Sequence, residues 1–356
     1  MKEITAKIGA HEYKIQIGYE ALLKSEELRH ALNVDKFGIV LSNHIYDMHW
    51  EYIGELFSEF TKKELFLMQD SEDNKNYSYA EGFLKAFADK GLTRDSVVWS
   101  IGGGVVGDFA GFCASVYMRG VPFVQAPTTL LAMVDASIGG KVAVNIHSGK
   151  NLIGNFHQPL LVVSDTLFLS TLSLTDVKCG LAEILKHGLI GDSATLEILM
   201  KHDLTSVQNV EVLTDLIYHS AQFKISVVAE DEHETGRRAI LNFGHTVGHA
   251  LESMMQYKDI SHGEAVAIGI LLESRMSFEM GLLTQNDLTL IEDLLKRYEL
   301  VNNSIKYEST ELLKHMRYDK KNKGNSIRFV LLEACGKPLY DKIVPEDIIL
   351  KSIQDF

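Results

Sequence analysis

Residues 100–112, SIGGGVVGDFAGF, set Gly102, Gly103, Gly104 and Gly107 between two apolar runs. Glycine inside a regular element costs roughly 0.5–1 kcal/mol relative to alanine, so a cluster of them marks a place where bare backbone is needed. The preceding run, 96–101 (SVVWSI), is β-branched and aromatic and reads as a buried strand. The following run opens at Asp108 and stays apolar to Met118 without a breaker, which predicts a helix. The glycines therefore occupy a strand-to-helix turn, where unpaired backbone N–H groups can converge on a phosphate. Read as Gly102-x-Gly104-x-x-Gly107, the stretch also has dinucleotide-binding spacing. Two meanings fit it: a phosphate cradle, or a tight turn that brings helix and strand close. A standard dinucleotide unit also places an acidic residue about 20 positions on. Here that region is Val124-Gln125-Ala126-Pro127, without a carboxylate, so a ribose would need another strand end.

Outward from the turn, strand and helix patterns alternate. HEYKIQIG (11–18), FGIVLSN (37–43), KELFLMQ (63–69), PFVQAPTT (122–129) and LLVVSD (160–165) read as strands, with an amphipathic helix running to Lys90. Such alternation predicts an α/β domain, a mostly parallel Rossmann-like sheet with helices on both faces. Beyond residue 165 the periods become helical, so the expected division is 1–165 (α/β) and 166–356 (mainly helical). A chain of 356 residues agrees with two domains.

Composition narrows the function. A net charge of −13 without a basic tail or arginine stripe speaks against a nucleic-acid surface. Cys113, Cys179 and Cys335 are isolated and form no CxxC pair, which predicts a reducing compartment rather than a disulfide framework. Residues 1–7 (MKEITAK) lack a signal-peptide apolar run, and no stretch approaches the ~18 uninterrupted apolar residues of a membrane span. The expectation is a soluble cytoplasmic protein.

The polar residues with chemistry to offer lie mainly in the second half. LNFGHTVGHALE (241–252) sets His245 and His249 at i and i+4, on one helix face, a spacing that suits two ligands of one metal or two hydrogen-bonded core histidines. His262 opens a further apolar helix, HGEAVAIG (262–269). Glu183 stands inside the apolar GLAEILKHG (180–188), where a carboxylate is expensive unless paired or coordinated. Together these offer a catalytic zinc site with nitrogen and oxygen ligands and no cysteine. Lys141, Lys150, Lys186, Lys224 and Arg238 accompany glycine-rich or histidine motifs in an acidic chain, which suits a small ligand carrying phosphate and carboxylate.

The ordered set GGGVVGDFAGFCASVYMRG (102–120), QAPTTLLAMVDASIGGKVAVN (125–145), GKNLIGNFHQP (149–159), GLAEILKHG, LNFGHTVGHALE and HGEAVAIG resembles the 3-dehydroquinate synthases of the shikimate pathway over nearly the whole chain. The resemblance implies an NAD-binding α/β domain, a helical metal domain, an active site in the cleft between them, and a homodimer. It implies that the backbone of Gly104, Val105, Val106, Gly107 and Asp108 carries the NAD pyrophosphate. Thr128, Thr129, Lys141, Lys150, Phe168, Leu169, Ser170 and Thr171 would complete the cofactor pocket. The ribose would be held by Asn43 and the loop DSEDNK, through Asp70, Glu72 and Lys75; Ser71 replaces a usual glycine there, and Ser173 a usual proline. The metal, Zn2+ or Co2+, would be held by Glu183, His245 and His262, leaving His249 for the substrate.

For the substrate the resemblance implies Asp135 and Lys186 on ring hydroxyls and Lys224 and Arg238 on the carboxylate. The phosphate would lie among Lys141, Asn151, Asn242, His249 and Lys320 (or Lys321), with Arg119 reaching in from the partner subunit. The implied reaction takes 3-deoxy-D-arabino-heptulosonate 7-phosphate to 3-dehydroquinate and phosphate by transient oxidation, phosphate elimination, re-reduction, ring opening and intramolecular aldol closure. Three rival readings are a sibling sugar-phosphate cyclase such as a 2-deoxy-scyllo-inosose synthase, a metal-dependent polyol dehydrogenase, and a non-catalytic NAD-binding protein.

Overall fold

The run 96–101 does become a strand, Val97–Gly102, and every one of its residues is buried. In this computed structural model, which describes residues 1–147, 149–256, 258–302, 305–317 and 326–354, the chain divides into two compact units, Met1–Ser173 and Leu174–Phe356. The turn Thr166–Thr171, placed in the second half by sequence, thus belongs to the first unit.

The first unit contains β1 (Lys2–Ile8), β2 (His11–Gly18), β3 (Phe37–Ser42), β4 (Lys63–Met68), β5 (Val97–Gly102), β6 (Phe123–Pro127), β7 (Lys141–Ile146), β8 (Gly149–Phe156) and β9 (Leu161–Asp165). Seven of them form one sheet in the order β1-β2-β9-β6-β5-β3-β4, parallel except for β1 against β2. The chain leaves β3 for β4, then crosses back past β3 to β5, so the winding reverses between β3 and β5. Open α/β sheets bind ligands beyond the carboxyl ends of strands at such a reversal. Those ends are Ser42-Asn43 and Gly102-Gly103.

Both faces of the central strands are covered, which is why they read as mainly apolar runs rather than alternating ones. Ile39, Leu41, Trp99 and Ile101 pack with Ile53, Leu56 and Phe57 of the helix Asn43–Ser58. Val40 and Val98 face the other way, onto Phe83, Phe87, Phe109 and Phe112. Two strand pairs were not anticipated. The β1 edge alternates buried and exposed positions, and the β7–β8 hairpin is a separate two-stranded sheet.

The second unit is helical around Leu174–Ile190 and His262–Glu279, each buried over most of its surface, with Val210–Glu230 and His245–Met254 packed alongside. It also carries an unexpected hairpin, β10 (Phe329–Ala334) and β11 (Lys337–Lys342). Among the described residues no helix is long and apolar enough to cross a membrane.

Candidate active site

In the first unit the helix Gly104–Val116 starts directly beyond β5, with Gly103 as an extended N-cap and no side chain capping its first turn. Its leading N–H groups carry the positive end of the helix dipole. At Gly107 a Cβ would lie 2.8 Å from Oε1 of the buried Gln125 on β6. The glycine lets helix and sheet approach. Thr128 and Thr129 follow β6; Thr128 is buried, and its hydroxyl has no hydrogen-bond partner.

At the neighbouring strand ends, Ser42 donates to Asp70 at 2.6 Å and also caps the helix that begins at Asn43, accepting from Ile45 N–H. Glu72 and Lys75 join the glycine turn to the β7–β8 hairpin. The buried Lys75 ammonium pairs with Asp108 and donates to Asn151 Oδ1 at 2.7 Å. Asn145 donates to Glu72 Oε1 at 2.7 Å and accepts from Asn151 N–H at 2.8 Å. Lys150 lies 3.8 Å from Glu72. Asn151, expected at the phosphate, has a left-handed backbone (φ 52°), a strained state for a non-glycine residue that its neighbours must hold. Lys141 starts β7 and is exposed, and Asp135 lies half-buried in a π-helical turn. Phe168 and Leu169 are buried and Ser170 exposed, while Thr171 meets His49 Nε2 at 2.7 Å.

In the second unit Glu183, His245 and His262 offer ligand atoms that all lie within 4.8 Å of one another. Glu183 Oε1 is 3.5 Å from His245 Nε2 and 3.6 Å from His262 Nε2, and it has no hydrogen-bond partner. The carboxylate is completely buried and its other oxygen pairs with Lys186. Burial opposes its charge, yet Lys186 and His262 hold the Glu183 carboxyl below the usual carboxylate range. Burial likewise disfavours a charged His262, but the neighbouring Glu183 and Glu252 carboxylates outweigh it and raise the imidazole above its ordinary range. The pocket thus favours positive charge, and its donor set of two imidazoles and a carboxylate fits Zn2+ or Co2+. His249 lies beside the cluster, its ring centroid 5.3 Å from that of His245 and 6.5 Å from that of His262.

Lys224 and Arg238 are both buried. Arg238 donates to the Glu232 carbonyl, and Asn242 donates to Glu234 at 2.6 Å. Lys320 and Lys321 lie outside the described residues.

Known proteins resemble this chain over most of its length. Residues 65–179 match the family described as 3-dehydroquinate synthase N-terminal, and 180–322 match 3-dehydroquinate synthase C-terminal. The chain belongs to the 3-dehydroquinate synthase family. A 3-dehydroquinate synthase of Leptospira interrogans is 44% identical over 332 residues, covering 92% of this chain and 90% of that protein. One from Caldanaerobacter subterraneus is 39% identical over 354 residues, covering 98% and 99%. A crystal structure of 2-deoxy-scyllo-inosose synthase complexed with carbaglucose-6-phosphate, NAD+ and Co2+ superposes with a TM-score of 0.92 at 26% identity, covering 99% of this chain and 100% of that one.

Around these candidate residues of a 3-dehydroquinate synthase family member the structure reveals carboxylates that the sequence did not single out. Asp231 accepts from the N–H groups of Thr235, Gly236 and Arg238, which hold its carboxyl at about 2 and fix the loop bearing Arg238. Glu234 takes a left-handed backbone (φ 57°) and meets Asn242. The buried Glu273 accepts from Gly244 N–H at 2.8 Å and Val247 N–H at 3.3 Å, gripping the start of the helix that carries His245. Only a carboxylate inside an apolar helix could have flagged Glu273, the signal that did flag Glu183. The loop residues give no periodic signal.

Proposed function

We propose that this chain converts 3-deoxy-D-arabino-heptulosonate 7-phosphate to 3-dehydroquinate and phosphate, with NAD and Zn2+ or Co2+ as resident cofactors. The observation that carries the reading is the buried Glu183 oxygen, without a hydrogen-bond partner and facing two imidazole nitrogens, in a chain of this family. When bound, the metal polarises a substrate oxygen and the nicotinamide takes up and returns a hydride.

Glu183, His245 and His262 hold the metal, while Lys186 balances the Glu183 charge and orients a ring hydroxyl together with Asp135. The N–H groups of Gly104 to Asp108 receive the NAD pyrophosphate at the uncapped helix start, beside the strand reversal. Asn43, Asp70, Glu72 and Lys75 hold its ribose, with Thr128, Thr129, Lys141, Lys150, Phe168, Leu169, Ser170 and Thr171 around the rest. Lys224 and Arg238 bind the substrate carboxylate, where a fork of guanidinium donors matches two oxygens. Lys141, Asn151, Asn242, His249 and Lys320 bind the phosphate. The residues mainly position the substrate and stabilise charge.

NAD is then required without being consumed. Incubated with NAD+ and the heptulosonate phosphate, the protein is expected to release phosphate over many turnovers with no steady build-up of NADH absorbance. Stoichiometric NADH would show a plain dehydrogenase. Phosphate release from a sugar 6-phosphate instead would show the sibling cyclase.

The chain works as a homodimer in the cytoplasm, a compartment that suits its free cysteines. Arg119 of the partner subunit completes each phosphate site. In support, Met118 (φ 50°), Arg119 (φ 71°) and Gly120 (φ 111°) form a run of left-handed residues with an exposed arginine, a strained and purposeful way to end a helix. Mixing Arg119→Ala subunits with Glu183→Ala subunits is expected to restore part of the activity, because one site of each hybrid has both residues. No recovery after proven subunit exchange would refute the shared site.

A further inference from the structure

The helix His245–Met254 carries a third polar residue on the face that bears His245 and His249. After seven residues an α-helix returns to within about 20° of its starting direction, so Glu252 stands in line with both. Its Oε1 lies 3.3 Å from Nδ1 of His262, across to the next helix. An imidazole that donates from Nδ1 keeps its lone pair on Nε2. Nε2 of His262 is the atom that faces Glu183 Oε1 at 3.6 Å.

The two histidines solve the same problem differently. His245 Nδ1 lies 3.1 Å from the carbonyl of Phe243, two residues back on its own chain. His262 is the first residue of its helix, whose backbone start is secured by the Ser261–Glu264 capping box. That box does not set its ring, which is about a third exposed, at 32%. The ring's orienting contact comes from Glu252, whose side chain is only 13% exposed.

We infer that Glu252 is a positioning residue of the metal site: it holds His262 in the Nδ1–H tautomer, fixes its ring, and adds negative charge behind the ligand. The inference rests on the metal site proposed above. Carboxylates behind metal-bound histidines raise ligand basicity, and losing one typically costs about 10–100-fold in metal affinity. The i, i+4, i+7 stripe of this helix therefore supplies one metal ligand, one substrate contact, and the group that steadies the other helix's ligand.

The test is a Zn2+ titration of metal-free full-length protein against a chromophoric chelator, with Co2+ absorption spectra and melting of the metal-free forms alongside. Glu252→Ala is expected to bind Zn2+ about 10–100-fold more weakly and to change the visible Co2+ band. Glu252→Gln, whose amide oxygen can still accept from Nδ1–H, should recover part of the affinity. Both variants should melt like the parent when metal-free, and Glu183→Ala marks complete loss of the site. A Glu252→Ala protein that binds Zn2+ within about twofold of the parent, with an unchanged Co2+ band, overturns the assignment and leaves the metal site standing. A parent that binds no Zn2+ overturns both. Equal losses in the two variants with lowered melting of both metal-free forms would make Glu252 a helix-packing residue and also overturn it.

Discussion

His262→Ala is expected to leave dialysis without metal, while His249→Ala keeps its metal and loses turnover. Helical spacing alone would pair His245 with His249, since both lie on one face. The folded chain instead aims Nε2 of His245 and of His262 at the same Glu183 oxygen, at 3.5 and 3.6 Å. His249 stands beside that group but outside the set of ligand atoms within 4.8 Å. Apparent Zn2+ binding energies of roughly 10–16 kcal/mol, shared among a site's ligands, make each one worth about 3 kcal/mol or more. Removing His262 should therefore weaken the metal by more than about 100-fold, whereas removing a phosphate contact leaves metal affinity nearly intact. Metal content per subunit after dialysis, by emission spectroscopy, decides the matter. An empty His249→Ala protein beside a loaded His262→Ala protein would restore the pairing that spacing suggests.

Gly269→Ala should damage the same site from behind. A Cβ at Gly269 would lie 1.8 Å from the Gly244 carbonyl oxygen and 2.7 Å from its carbon. Both are backbone atoms, so no side chain can swing aside. Gly244 itself is left-handed (φ 79°), and its N–H donates to Glu273, one turn beyond Gly269 on the same helix, which ties the crossing together. Relief requires the helices His245–Met254 and His262–Glu279 to part, carrying one proposed metal ligand away from the other. Overpacking of this kind costs about 1–3 kcal/mol and occasionally more. In a unit of this size each kcal/mol lowers melting by roughly 2–4 °C. The variant is expected to melt about 5 °C or more below the parent and to bind Zn2+ more weakly. Gly82→Ala is the contrast: its Cβ meets nothing within 4 Å on an exposed helix position, so stability should stay level or rise. Equal melting of Gly269→Ala and parent, with equal Zn2+ affinity, would show that the helices are not locked at this crossing.

The sheet was legible wherever a strand is buried on both faces. β3 and β5 read as nearly continuous apolar runs because each side of the sheet meets a helix layer. The buried Ser100 of β5 is satisfied by donating to the Val124 carbonyl. The β7–β8 hairpin was not, since β8, GKNLIGNF, is largely exposed and mixes polar and apolar residues without alternation. The β10–β11 pair is similarly obscure, its outer strand KPLYDK being mostly exposed. Glycines were readable as a class but not in detail. Gly107 makes room for a glutamine from another strand, a contact that no local pattern encodes.

By itself the sequence determined the alternating α/β first half, the glycine turn after a buried strand, the helical second half, and the family, through motifs whose order and spacing are specific together. It also singled out Glu183, because a carboxylate in an apolar helix must be compensated. Tertiary structure alone decided which histidine nitrogens face that carboxylate, and that Glu252 backs one of them while Glu273 grips the helix of the other. It also decided that Lys75 ties the glycine helix to Asn151. Periodicity reports which residues share a face of one element. Ligand sets and the charges that orient them are contacts between elements distant in sequence, set by where helices cross and how closely their backbones approach.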